Sequence, residues 1–477
     1  MNVAQRVAYN TAVQMLARVV VLALGLLSLR LTATYLGVQD FGRLAIVIAV
    51  TGLVGTLGDL GVTTTLTREV AKHPDEASRL GGDLLRFRLG TSVAAAAVTV
   101  ALMPFLPYGH STKIALAIGL GGMVFTILGT FPTAFFQANL RLDYVAALDV
   151  ATRVLALLAI VVVRWADLGL YALVGMLAFT NLAVCATSFA LSRSFWRVNL
   201  RGDWSRARPL IRDALGVGIV SIIGLIHFRG DALLLSLLKP ARDVGVYAIA
   251  YRFVDQAFVL PGLFVGTMFP IITRALHARS PDADGAINRT FQVLVLGSVL
   301  VTLPLFVIAK PLVHILAGSA FDASVRPLRI LSFSLVFIFV APVFYNVLIA
   351  LNKQRQLIVI GLLSVLVNVG LNLFLIPRYS YNGAASATLV SEGLSFAGVY
   401  VVSRRHHDFR LDGRFVLRVA AATAVAALVV LALSGQSAWA ACAAAEAAFV
   451  VAAYATRAVS RRDLDVFLQR PAAGAGG

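Results

Sequence analysis

Apolar segments long enough to cross a bilayer recur along this chain from end to end and leave room for little else. They run at about 12–34, 43–64, 87–107, 114–137, 145–163, 168–191, 214–238, 245–270, 290–309, 326–350, 357–376, 383–402, 416–434 and 438–456. A membrane-crossing helix needs roughly 20 predominantly apolar residues. The pattern therefore predicts an all-α polytopic membrane protein with about fourteen transmembrane helices, the last two Ala-rich and weakly marked. Only 13% of the 477 residues are charged, against about 25% in a soluble domain.

Charge orients the segments. One set of connections carries Arg68, Lys72, Arg79, Arg86 and Arg88, then the stretch from Arg193 to Arg212, then Arg274, Arg279 and Arg289. It continues with Lys353 and Arg355, with Arg404, Arg405, Arg410 and Arg414, and with Arg457, Arg461 and Arg462. The alternate connections are short and nearly neutral. The positive-inside rule places the basic set, and both termini, in the cytoplasm. The net charge of +18 is thus a matter of topology; no single basic patch suits nucleic acid. Cys185 and Cys442 lie in apolar runs without ligand-like spacing, so neither a metal site nor a disulfide framework is expected. The first apolar run reads as a retained span rather than a cleaved leader. The tail after Arg470 has a disordered composition.

The chain also repeats itself. Gln39-Asp40-Phe41-Gly42-Arg43-Leu44-Ala45, joining the first two segments, matches Arg242-Asp243-Val244-Gly245-Val246-Tyr247-Ala248, joining the seventh and eighth. Gln137-Ala138-Asn139-Leu140-Arg141 echoes Ala350-Leu351-Asn352-Lys353-Gln354, and Gly169-Leu170-Tyr171-Ala172 echoes Gly383-Ala384-Ala385-Ser386. A six-helix unit repeated in the same order gives a parallel pseudo-symmetric pair. The expected organisation is an N-terminal lobe over 1–191, a basic linker over 192–213 and a C-terminal lobe over 214–402. Two further helices occupy 403–457, and a cytoplasmic tail 458–477.

Charges inside these spans are costly to insert and normally face protein or water, which makes them site candidates. The cations are Arg18, Arg153, Arg229 and Arg252; the carboxylates are Asp59, Asp231, Asp255 and Glu392. Arg229 and Asp231, two residues apart on a helix, point to different faces and each needs a partner elsewhere. Arg153 is four residues after Asp149, the spacing of a helical ion pair, so a self-neutralised pair competes with a ligand role. Arg18 and Arg252 either line a cavity or brace a neighbouring helix. A carboxylate in such a cavity can carry a coupling H+ or Na+; for Glu392 a hydrogen-bonded packing role competes. Tyr247, Tyr251 and Tyr345 offer rings for stacking. The close-set glycines at 119, 121 and 122 suit tight helix approach and are not a phosphate loop, because no Lys-Ser/Thr follows. No nucleophile–base set, metal-ligand spacing or nucleotide loop occurs, so an enzyme, a cofactor and a bound metal are not expected.

Asn10, Arg18 and Tyr35-Leu36-Gly37-Val38-Gln39-Asp40-Phe41-Gly42 resemble the opening of polysaccharide-export flippases. These are the Wzx-like branch of the superfamily that also holds MATE exporters and lipid II flippases. Asp59-Leu60-Gly61-Val62 with Thr67-Arg68-Glu69-Val70-Ala71 looks like their second helix and first cytoplasmic loop. Asp231 with Asp243-Val244-Gly245-Val246-Tyr247, and Tyr381-Asn382-Gly383-Ala384-Ala385-Ser386-Ala387-Thr388, look like their helix seven-to-eight and helix twelve regions. The resemblance spans about 10–402. It implies two six-helix lobes around a cavity and transport of an undecaprenyl-diphosphate-linked oligosaccharide to the outer leaflet. Cavity cations would meet the diphosphate. It further implies a monomer among membrane lipids, with polysaccharide polymerase machinery as a partner. The alternative is a MATE-type cation-coupled drug antiporter, which would favour an acidic, aromatic cavity.

Overall fold

The computed structural model describes residues 3–196, 204–278, 280 and 282–458. Arg279, Arg461, Arg462 and the tail after Arg470 lie outside them. Among the described residues the regular elements are helical: α1 (Val3–Asp59), α2 (Val62–Lys72), α3 (Ala77–Leu102), α4 (His110–Thr130), α5 (Thr133–Ala138) and α6 (Leu142–Trp165). They continue with α7 (Gly169–Ser192), α8 (Trp204–Leu238), α9 (Ala241–Ala257), α10 (Val259–His277) and α11 (Asp282–Val307). The last are α12 (Ala309–Ala317), α13 (Val325–Ala350), α14 (Gln354–His406), α15 (Gly413–Ala432) and α16 (Ala438–Ala455).

Twelve described stretches are long and apolar enough to cross a membrane. Two of them hold a pair of crossings. The 57 residues of α1 would reach ~85 Å as one straight helix, against a hydrocarbon core of ~30 Å. It breaks at Gly37, where φ 67° and ψ 178° fall in a region open essentially to glycine alone. The 53-residue α14 breaks at Ser380 (φ 50°, ψ −131°). Divided there, the twelve stretches hold fourteen segments, as the hydropathy of the sequence predicts. The connection from Lys310 to Val325, expected as an outer loop, is instead α12 and a 3-10 turn at Ser319–Ser324.

The chain forms two compact units. The first comprises Met1–Ile249, His314–Ala323 and Val365–Ala384; the second comprises Ala250–Val313, Ser324–Ser364 and Ala385–Gly477. Lipid tails are as apolar as leucine, so close backbone approach and interhelical hydrogen bonds hold such helices together. In the first unit α4 meets α7 at small residues. A Cβ on Gly122 would lie 2.7 Å from Ala178 Cβ, and one on Gly129 3.1 Å from Cys185 Cα. The two repeated Asp-x-Gly connections meet each other directly. A Cβ on Gly42 would overlap the Ala241 carbonyl oxygen, and one on Gly245 would lie 2.7 Å from Val38 O. Near them the Ser380 hydroxyl donates to Asp243, and Lys239 Nζ donates to Pro377 O over 2.9 Å. The segment 314–323 belongs to the same end: Phe321 packs edge-on against Phe41, and Arg30 Nη1 donates to Ile315 O over 2.8 Å. At the far end of the second α1 segment, Gly61 (φ 77°) and Gly218 make the matching contact. A Cβ on Gly61 would lie 2.5 Å from Ala214 O, and one on Gly218 2.7 Å from the Leu60 carbonyl carbon.

In the second unit α13 is the buried centre, packed on α10 and α11. Phe344, Phe396, Tyr400 and Phe409 interlock, and Ser403 Oγ donates to Phe344 O over 3.1 Å. α15 and α16 pack against each other and α11. Asp412 caps α15 by accepting from the Arg414 and Phe415 amides at 2.9 and 3.2 Å.

Candidate functional site

A cavity of 550 Å³ lies inside the first unit, with walls from the second segment of α1 and from α2, α3, α4, α7 and α8. Its charged group is a pair: Arg88 on α3 and Asp59 at the end of α1, with Nη2 to Oδ1 at 3.0 Å. Arg88 was expected in a cytoplasmic loop; its side chain is 1% exposed. The reason is that α3 begins at Ala77, about ten residues earlier than hydropathy suggests. The polar stretch Arg79–Arg88 hides the helix start. A helical period does run through it, since Gly81, Leu84, Leu85, Arg88 and Ser92 are all buried.

Three oxygens hold the Arg88 fork. Nη1 donates to Thr63 Oγ1 and Nη2 to Thr130 Oγ1, each over 2.6 Å, and Asp59 supplies the counter-charge. Thr63 Oγ1 in turn donates to Asp59 Oδ1 over 2.7 Å, closing a ring of contacts. The guanidinium lies 5.6 Å from the Phe131 ring centroid, within reach for a cation–π contact. Nε is buried without a hydrogen-bond partner. Phe131 belongs to an apolar cluster with Leu84, Phe135 and Trp196, in which the Phe135 and Trp196 rings stack at 4.6 Å. That cluster closes one side of the site to water. Asp59, by contrast, keeps 30% of its side chain exposed and lines the cavity.

The remaining walls are uncharged. Thr51, Thr56, Thr126, Ser221 and Asn181 supply polar groups, with Ile48, Met123 and Ile127 between them. Each of the four hydroxyls donates to a carbonyl one turn earlier on its own helix, at 2.6–3.2 Å. Spent in this way, they turn oxygen lone pairs toward the cavity.

The sequence candidates distribute themselves around this site. Asp59 is in its wall; Arg18, Arg153, Arg229 and Asp231 are not. Arg18 on α1 and Arg153 on α6 are both exposed and share one carboxylate, interacting electrostatically with Asp149. Two cations over one carboxylate leave a positive charge in excess. Arg229 is half-buried on α8. Asp231, 3% exposed, accepts from the Tyr247 hydroxyl and from the Ala232 amide, the latter at 2.7 Å. Tyr247 is itself fully buried, so its ring has no free face for a ligand. Arg252 and Asp255, half-buried, belong to the second unit, as does Glu392, which is 8% exposed and interacts electrostatically with Tyr345. Asn372 donates to Asn368 one turn earlier, over 2.9 Å. Arg88, Thr63 and Thr130, the centre of the cavity's polar network, are absent from the sequence candidates.

The family model of the polysaccharide biosynthesis protein matches residues 7–276, and that of the lipid II flippase MurJ matches 259–459. No curated protein sequence gives a significant match. Among solved structures, a lipid II flippase MurJ in an inward closed conformation aligns at TM-score 0.76 and 12% identity, over 96% of this chain and 100% of that one. An inward-facing multidrug resistance MATE family transporter of the MOP superfamily aligns at TM-score 0.67 and 14% identity, over 81% and 95%. A MOP superfamily transporter from Pyrococcus furiosus aligns at TM-score 0.57 and 13% identity, over 84% and 94%. These likenesses establish the MurJ/MATE-like fold.

Proposed function

Because the chain belongs to the polysaccharide biosynthesis protein family, among the lipid-linked flippases of the MOP superfamily, we propose that it carries undecaprenyl-diphosphate-linked oligosaccharide repeat units across the inner membrane. The direction is from the cytoplasmic to the outer leaflet, for assembly of a surface polysaccharide. The observation that carries the reading is a polar, water-accessible cavity within membrane helices of the family-matched region, whose one ion pair is internally satisfied. Such a site suits a bulky hydrophilic head group that must pass and leave, while its polyprenyl chain stays in lipid.

The proposed cycle is alternating access, with the six-helix lobes 1–191 and 214–402 rocking about the two glycine contacts. With both termini cytoplasmic, the Gly42–Gly245 contact and the segment 314–323 form the outer closure. The Gly61–Gly218 contact, braced by Arg68 and Asp213 at 2.8 Å, forms the inner one. Arg18 and Arg153, with their excess charge, are the proposed seat of the diphosphate, and Arg229 and Arg252 its path. Asp231, Asp255 and Glu392 are the proposed carriers of a coupling H+ or Na+.

A drug antiporter of MATE type is the alternative, and Asp59 is the group that would serve it. Arg88 already neutralises that carboxylate, and no aromatic ring lines the cavity among the described residues. Deleting the gene decides between them. The flippase reading expects an intact glycan on undecaprenyl diphosphate to accumulate on the cytoplasmic side, identified by mass. Unchanged lipid pools with new sensitivity to cationic drugs would overturn it.

A further inference from the structure

We propose that the Asp59–Arg88 cavity seats the uncharged, hydroxyl-rich sugars of the head group and does not hold its diphosphate. This deepens the flippase reading and rests on it. The argument is a count of donors and acceptors. Thr51, Thr56, Thr126 and Ser221 have committed their protons to carbonyls of their own helices, so each offers the cavity only lone pairs. The partly exposed Asp59 carboxylate offers more of the same. A phosphate is itself an acceptor and an anion, so it finds repulsion here. A sugar carries an O–H on almost every carbon, and an acetamido sugar an N–H besides; both are donors that these walls accept.

Charge points the same way. Among the described residues the Arg88 guanidinium is the one cation in the cavity wall, and its Nη1 and Nη2 groups are bonded to Thr63, Thr130 and Asp59, with Nε–H buried in the wall. No positive charge is left over to attract a diphosphate. Arg88 instead fixes Asp59 and the two threonines in place, a positioning role. The Asn181 amide adds one group that both donates and accepts. The volume of 550 Å³ falls within the range of small-molecule sites, about 300–1,000 Å³. Head-group recognition is thereby divided: sugars in this cavity, phosphates at a cation-rich place outside it.

The test uses the full chain, purified into lipid nanodiscs, and two probes. One is bare undecaprenyl diphosphate; the other is the glycan-bearing lipid that accumulates in cells lacking the protein. Thr126→Val and Asn181→Leu each keep the size of the side chain and remove polar groups, and thermal melting checks that each variant folds. The expected result is that both variants bind the glycan-bearing lipid about tenfold more weakly, the scale of a lost hydrogen bond or two, with affinity for the bare lipid unchanged. Equal weakening for both lipids would put the phosphates in the cavity and overturn the proposal, and so would unchanged affinity for both. If the wild-type protein binds neither lipid but retains tetraphenylphosphonium, the flippase reading itself fails.

Discussion

Arg88 shows why a charge persists inside the membrane here. Its planar fork reaches Thr63, Thr130 and Asp59 at once, a geometry that the point charge of lysine does not reproduce. Removing the cation alone strands a carboxylate beside a buried wall. Arg88→Leu should therefore destabilise the protein by about 1–3 kcal/mol, the scale for lost hydrogen bonds to a charged group, since Asp59 keeps contact with the cavity. Removing both charges in Asp59→Leu/Arg88→Leu should recover most of that loss. Thermal unfolding of the wild type, Asp59→Leu, Arg88→Leu and the double variant in one detergent measures it; a double variant whose loss equals the sum of the two single losses would show that the two are uncoupled. Asp59 was legible in the sequence because it stands next to a long apolar run. Arg88 was not, because five charged residues before it, from Asp75 to Arg86, depress hydropathy and mask a helix whose buried face continues through them. The hydroxyl walls were equally hidden: threonines and a serine scattered over four helices become one surface only when the helices pack.

At the scale of elements, the repeat announced that the Asp40 and Asp243 connections are equivalent, but equivalence is not contact. Only the fold reveals that Gly42 and Gly245 press backbone on backbone, where the neighbour of an added Cβ is a carbonyl oxygen that cannot step aside. Gly42→Val should therefore hold that end apart. The consequence is readable at Ser221, in the cavity wall, since both native cysteines are buried and give little background. In a Ser221→Cys protein, a membrane-impermeant maleimide added outside should label the Gly42→Val variant several-fold faster than its parent. Equal rates would remove the gating role assigned to this contact. The fourteen segments themselves were legible, since a bilayer demands long apolar runs whatever their tertiary partners. The break at Ser380 was visible only as a dip in hydropathy around Pro377 to Asn382, and the helical turns at 309–324 not at all.

For the whole molecule, composition and loop charge indicated a multi-pass membrane protein; the family match establishes a polysaccharide biosynthesis protein, and the structural likenesses establish a MurJ/MATE-like fold. The resemblance carried by the sequence motifs ends near residue 402, yet the MurJ family model extends over α15 and α16, and they pack on α11. In this account the protein is a carrier with a divided grip. As proposed, its cavity accepts sugar hydroxyls, its excess cations outside that cavity take the phosphates, and its two glycine contacts close either end in turn. The decisive measurement is transbilayer movement in proteoliposomes. The lipid that accumulates in deletion cells would be placed in the inner leaflet, and its glycan made to react with an impermeant oxidant added outside. The account predicts that the wild-type protein exposes the glycan within minutes and that the Arg88→Leu protein does so no faster than protein-free liposomes. Movement at the protein-free rate for the wild type, under an imposed H+ or Na+ gradient of either sign, would contradict it.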